Sequence, residues 1–150
     1  MSSTPQRPQG PQGLDLHGRV IRAGRASGKA LVSLEPVSFY GGVDLDTGRV
    51  VEPGHPLEGQ ALAGRVLVIP RGKGSTVGSW AILRLDRKGL GPAAILCERC
   101  ETIVAVGVIL AEIPCVDGLD FSQIRTGQTV AVDGPRVQVG GAGEGEADGF

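Results

Sequence analysis

Aromatic side chains are scarce in this sequence, with three Phe, one Tyr and one Trp. Phe39, Tyr40, Trp80, Phe121 and Phe150 lie too far apart along the chain to build the stacking platforms that hold unpaired bases. A dominant charge is missing as well. The 15 Lys and Arg nearly cancel 16 Asp and Glu, for a net charge of −1, so no basic field marks nucleic acid as a partner. No apolar run approaches the about 20 residues that a membrane span requires. The opening MSSTPQRPQGPQG lacks the apolar core of a secretory signal, and the expected location is therefore cytoplasmic. Three cysteines, an odd number, argue against a disulfide framework.

What is present suits one domain. Apolar residues make up 41% and charged residues 21% of the 150-residue chain, close to a globular average. Glycine is abundant, at 25 residues. Part of that excess lies in the ends, residues 1–13 and 140–150, whose composition cannot bury enough surface to order itself. Both are expected to be mobile tails around a domain spanning 14–139. Within it, HGRVIRAG and GKALVSL read as two strands, arranged as a hairpin. SFYGGVDLDTGRVVEPGHP is a long loop rich in Gly, Asp and Pro, a length more often functional than accidental. GRVLVIP, AAILCE and IPCVDG read as buried strands. Between them TVGSWAILRLDRKG reads as a helix with Val77, Ala81 and Leu85 on its inner face. TIVAVGVILAE is a helix apolar on nearly every side, expected deep in the core or beneath a partner. SQIRTG suggests a helical turn, and QTVAVD with RVQV a β pair around Gly134-Pro135. Alternating strands and helices imply right-handed parallel crossovers. The expected fold class is α/β: a small β barrel or sandwich packed with a parallel βαβαβ layer.

The segment PRGKGSTVGS, residues 70–79, follows an apolar strand and opens a helix. It fits neither phosphate-loop signature. Walker A requires G-x-x-x-x-G-K-[ST], but Gly72-Lys73 is followed by Gly74, and Leu67 stands five residues before Gly72. The dinucleotide fingerprint fails because three residues separate Gly74 from Gly78. The context still suits an anion, carboxylate or phosphate. A helix N-terminus offers N–H groups and the positive end of its dipole, and Arg71 and Lys73 add two full charges. Ser75 stands where an N-cap would stand. It either caps the helix, worth about 1 kcal/mol, or does chemistry, which requires these same groups to stabilise its alkoxide.

Other candidates carry paired readings. Cys97-Glu-Arg-Cys100 with Cys115 lacks a fourth metal ligand. A redox or disulfide pair is a second reading, because C-x-x-C here ends a strand and precedes a helix. The apolar strands around Cys97 and Cys115 favour structural cysteines, with no metal assigned. Gly41 and Gly42, in FYGGVD, make either a tight turn or a loop whose backbone approaches a ligand closely. Glu101 and Thr102 open the second helix at the same sheet edge as Ser75, where loops after parallel strands converge. Glu101 is either a favourable first-turn acid or a crevice residue. His55, between Gly54 and Pro56, reads as a surface-loop residue.

Five stretches in order, GRVIRAGRASGKALVS, EPVSFYGGVD-x-x-TG, LAGRVLVIPRGKGSTVGS, ETIVAVG and IPCVDG, resemble the small subunit of the aconitase-X family over roughly residues 18–133. The resemblance implies a swivelling β/β/α domain that closes over a large subunit, as a heterodimer or a dimer of heterodimers. That large subunit would hold an iron–sulfur cluster on its own cysteines, with no cofactor bound by this chain alone. It implies a hydro-lyase in which Ser75, in the matching glycine loop, accepts the proton. Arg71, Lys73, Gly74, Thr76, Gly41, Gly42, Glu101 and Thr102 would surround a small anionic substrate. GKGSTVGS with ETIVA and IPCVDG is most similar to the archaeal branch. The implied reaction there is loss of water from (R)-5-phosphomevalonate to trans-anhydromevalonate 5-phosphate in the mevalonate pathway, the cluster iron binding the leaving hydroxyl as a Lewis acid. Dehydration of cis-3-hydroxy-L-proline is the alternative within the family. A non-catalytic module that binds an anion or a protein is the alternative of another class.

Overall fold

A computed structural model describes residues 13–140; the two expected tails lie outside them, apart from Gly13 and Gly140. Ten strands and three helices follow one another as β1 (Leu14–His17), β2 (Arg19–Arg22), β3 (Arg25–Val32), β4 (Val37–Ser38), α1 (Phe39–Gly42), β5 (Val66–Ile69), β6 (Gly72–Lys73), α2 (Gly78–Arg87), β7 (Ala94–Cys97), α3 (Thr102–Ala111), β8 (Cys115–Asp117), β9 (Thr129–Asp133) and β10 (Arg136–Val139). Eight strands form one mixed sheet in the order β1-β10-β9-β3-β5-β7-β8-β2. Its two edge strands, β1 and β2, are separated in sequence only by Gly18. The chain therefore steps from one edge to the other across one residue, and the sheet curls into a nearly closed barrel.

The expected barrel and parallel layer are both present, joined through β3. Arg25–Lys29 pair antiparallel with β9, while Ala30–Val32 pair parallel with β5. Strands β5, β7 and β8 then run parallel, with α2 and α3 as the crossovers, and β9 and β10 form the expected antiparallel pair. The expected hairpin of β2 with β3 does not form. β2 pairs with β8, because its two neighbours in sequence leave it at the barrel seam. SQIRTG forms hydrogen-bonded turns, with the Ile124 N–H on the Phe121 carbonyl, and no helix.

Strands β5 and β7 are apolar throughout because both of their faces are buried. Val66, Val68, Ala94, Leu96 and Val116 face the barrel interior with Val130, Val132, Val137 and Val139. The alternate residues Leu67, Ile69, Ile95, Cys97 and Cys115 face the helices, where they meet Ile82, Leu85, Val104 and Val108. Helix α2 buries Ala81, Ile82 and Leu85. Val77 precedes its first turn and is exposed, as is Trp80, whose ring lies 5.4 Å from the Arg84 guanidinium. Helix α3 is not enclosed on every side. Val104, Gly107, Val108 and Ala111 are buried, but Val106, Ile109 and Leu110 are exposed, since α3 lies outside the sheet with, among the described residues, only one helix, α2, packed along it. Among the described residues no helix is long and apolar enough to cross a membrane.

Candidate functional site

The glycine loop takes its shape from two glycines. Gly74 has φ +92°, in the left-handed region, and a side chain there would meet the Ser38 hydroxyl at 2.8 Å. Gly72 lies so close to α3 that a Cβ would sit 2.8 Å from both the Glu101 carboxylate and Val104. Two-residue strands β4 and β6 pair in parallel, Val37 with Gly72 and Ser38 with Lys73, so the loop is sewn to the start of the long FYGG segment. That segment, α1, is one distorted turn, with non-helical angles at Tyr40 and Gly41.

Between these two loops lies an open cleft of about 430 Å³, lined by Ser38, Gly41, Gly42, Glu52, Pro53, Lys73 and Gly74. Lys73 reaches across it to Glu52, Nζ to Oε2, at 2.9 Å. Gly41, Gly42, Lys73 and Gly74 thus line one cleft, with Gly41 exposed and Gly42 buried, whereas Arg71, Ser75, Thr76, Glu101 and Thr102 are not among its lining residues. Ser38, Glu52 and Pro53 escaped sequence reasoning. The long loop carrying them was visible as a functional segment, but a Lys–Glu pair 21 residues apart leaves no local signal.

Ser75 follows Gly74 directly and is exposed. Its hydroxyl oxygen accepts the Val77 N–H at 3.1 Å, and its carbonyl accepts the Gly78 N–H. Helix α2 begins only at Gly78, with Val77 as its N-cap and no side-chain cap. Ser75 therefore closes a turn ahead of the helix instead of capping it. The N–H groups of Val77, Gly78 and Ser79 are spent inside this turn, so the N–H groups from Gly74 to Thr76 are the ones that could meet an anion. Thr76 and Arg71 are both exposed.

Glu101 is committed to structure. It is the N-cap of α3: one carboxylate oxygen accepts the Ile103 N–H at 2.8 Å, and the other accepts the N–H groups of Val104 at 3.3 Å and Gly72 at 3.1 Å. It is a clasp between the helix and the loop that runs on to Ser75. Thr102 lies exposed in the first turn. The Ser79 hydroxyl donates to the Ile103 carbonyl at 2.6 Å, a second link between the starts of the two helices. His55 is buried, contrary to the surface reading. Its Nδ1 accepts the Leu57 N–H and its Nε2 lies 2.9 Å from the Pro36 carbonyl. It holds the long loop against the segment that enters β4.

With this geometry in place, comparison with known proteins is decisive. The family model for the aconitase X swivel domain matches residues 15–140. The chain belongs to the aconitase X swivel-domain family. Two curated relatives of this swivel domain are the phosphomevalonate dehydratase small subunits of Pyrococcus furiosus, 49% identical over 84% of this chain and 94% of its own length, and of Thermococcus kodakarensis, 48% identical over 84% and 95%. The crystal structure of Thermococcus kodakaraensis aconitase X in its holo-form superposes with a TM-score of 0.82 at 47% identity, covering 84% of this chain and 98% of that one.

The family resemblance brings an iron–sulfur cluster into question, and the thiols of this swivel domain do not fit one. Cys97, Cys100 and Cys115 have all three sulfur atoms within 4.8 Å of one another. Thiolates on separate irons of a cluster stand farther apart, because the iron–iron edge adds to two iron–sulfur bonds. Cys97 and Cys115 are also fully buried in the packed helix-side core. Hydrogen bonds from Cys115 and Cys97 draw the Cys100 thiol well below the usual range, and the bond to Cys100 pushes Cys97 and Cys115 up.

Proposed function

We propose that this chain is the small subunit of a phosphomevalonate dehydratase, removing water from (R)-5-phosphomevalonate to give trans-anhydromevalonate 5-phosphate. The observation that carries this reading is the near-full-length match to small subunits of that name, with the glycine loop of the resemblance lying beside an open, partly charged cleft.

Ser75 is the proton acceptor in this reading. Its oxygen already accepts one backbone N–H, and a donor to the charged form lowers a hydroxyl's pKa. A serine acts as a base only where such donors are fixed before the reaction and water is kept out. Lys73, on the cleft wall, and Arg71, at the mouth of the loop, are the cations for the substrate's carboxylate or phosphate. The cleft is open to solvent, and exposed apolar residues, Tyr40, Val77 and Trp80, stand on the segments around it. Both features support a large subunit as the missing wall. The tight spacing of the thiols here supports assigning the cluster to that subunit.

The test is co-expression with the large subunit and assay of water loss from (R)-5-phosphomevalonate, with cis-3-hydroxy-L-proline in parallel. Turnover of the first, none by the chain alone, and abolished turnover in Ser75→Ala with subunit association intact are expected. Near-wild-type activity in Ser75→Ala removes Ser75 from the mechanism, and selective turnover of hydroxyproline replaces the substrate.

A further inference from the structure

We propose that Cys97, Cys100 and Cys115 form a binding site for one thiophilic metal ion of the Zn²⁺ class, separate from the cleft. The fold brings the ligands together from two adjacent parallel strands and a loop. Ile95 of β7 is in register with Cys115 of β8, and Cys97 lies two residues beyond Ile95, so both cysteines project from the helix-side face as diagonal neighbours. The turn Cys97-Glu-Arg-Cys100 brings the third thiol back over them. The result is three sulfur atoms within 4.8 Å of one another. Three thiolates sharing one ion at metal–sulfur bonds of about 2.3 Å stand about 4 Å apart, so a single ion fits where a cluster does not.

The position of Cys100 is braced from behind. Its backbone N–H donates to Asp117 Oδ2 at 2.8 Å, and the Arg19 guanidinium holds the same carboxylate by two hydrogen bonds, 3.0 and 2.8 Å. With both oxygens engaged, Asp117 orients the ligand loop and is not itself a ligand. Among the described residues no carboxylate or imidazole joins the group, so the donor set there is purely soft. It selects Zn²⁺ or Cu⁺ over Mg²⁺, Ca²⁺ or Mn²⁺. Cys97 and Cys115 are fully buried, whereas Cys100 is partly exposed. The ion enters on that side, and a water completes the coordination there. Cys100 directly precedes Glu101, so metal binding stiffens the start of α3 and, through the Glu101–Gly72 bond, the base of the glycine loop.

The test uses the full, untagged chain, reduced and freed of metal, titrated with Zn²⁺ against a chromophoric chelator and with Co²⁺ as the spectroscopic stand-in. One ion per chain, a thiolate-to-cobalt charge-transfer band and protection of all three thiols from alkylation are expected. Cys100→Ala, in a partly exposed loop, is the principal variant, with folding checked by circular dichroism. Loss of a ligand should weaken binding by more than the about 10–100-fold typical of removing an outer-shell partner. Arg19→Ala leaves all three thiols and should weaken it within that range. Should the buried-site variants Cys97→Ala and Cys115→Ala not fold, thiol protection in the wild-type chain carries the same test. A folded, reduced chain that takes up no Zn²⁺, or that binds it equally well after Cys100→Ala, overturns the site. A mapped disulfide with a mass two hydrogens lower would then identify thiol pairing as the cluster's role.

Discussion

Replacing Glu101 separates its two sequence-level readings, and the cost follows from its bonds. In Glu101→Ala, α3 loses its only side-chain cap, which costs about 1 kcal/mol within a range of roughly 0.5–2. The same change strands the N–H of Gly72, a buried residue. A buried donor left without a partner costs about 1–3 kcal/mol. Together the loss is roughly 2–4 kcal/mol, which for a domain of this size lowers Tm by about 8–16 °C. Glu101→Gln keeps one oxygen acceptor but turns an amide donor toward N–H groups, so it should fall roughly midway. Urea unfolding of the full chain, followed by far-ultraviolet circular dichroism, reads both variants. A Glu101→Ala chain within about 0.5 kcal/mol of wild type, below the smallest single effect above, would refute the clasp. If the assembled enzyme also lost turnover without that loss of stability, Glu101 would be a residue of the reaction chamber.

Gly107 lies where α3 crosses α2, and an added Cβ would meet Ile82 Cβ at 3.0 Å and the Ser79 carbonyl at 3.2 Å. Gly107→Val should therefore cost about 1–3 kcal/mol by overpacking, measured by urea unfolding. Lys73→Met should change stability by less than about 1 kcal/mol, because its pair with Glu52 is partly exposed, while raising KM for the anionic substrate in the assembled enzyme. An unchanged KM would leave Arg71 as the anion's cation. Burial pushes the Asp117 carboxyl up, but its hydrogen bonds with Arg19 and the Cys100 N–H prevail and hold it below the ordinary value of 3.8. Its contribution to stability is complete above pH 3.8 and fades as pH falls through the lower folded-state value. Asp117→Asn should accordingly flatten the acid limb of the stability–pH curve below that point, and an unchanged limb would show that the pair is not linked to folding.

The parts of the fold that were legible in the sequence are those with strong periodicity. The apolar blocks VLVI and AILC, short and bounded by turn signals, read as strands buried on both faces, and the helix between them dictates a parallel crossover. The pairing of β2 was illegible because it depends on barrel closure, which brings the ends of the chain's first two strands to opposite sheet edges. Helix α3 looked enclosed because its residues are apolar all round, but composition does not say how many neighbours a helix has. At the site, the glycine-rich turn between strand and helix was legible, but the close approaches of Gly72 to Glu101 and Val104 and of Gly74 to Ser38 were not. The roles of Glu101, Glu52 and His55 depend on contacts 29, 21 and 19 residues away, which no local pattern encodes. The convergence of Cys115 on Cys97 was illegible for the same reason: Cys97-Glu-Arg-Cys100 has the spacing of a metal-binding pair, but Cys115 is brought to it by strand register, which no local pattern encodes.

If Ser75 is the base, as proposed above, the geometry predicts that an isolated swivel domain is inert. Ser75 lies in water, with one N–H on its oxygen. In that setting the solvent screens the dipoles around it, and a single donor changes a serine's basicity little. The same N–H, with Lys73 and Arg71, gains effect only when the cleft loses its water, because fixed dipoles and charges act far more strongly in a medium of low polarity. The chain cannot exclude that water alone: its cleft is open, and the neighbouring Tyr40, Val77 and Trp80 present apolar surface outward. On the proposed reading, closure by a second body would both complete the wall and switch on the electrostatics. Activity should therefore fall together with subunit association when Trp80 is replaced by a charged residue, even though Ser75 and its hydrogen bond are untouched.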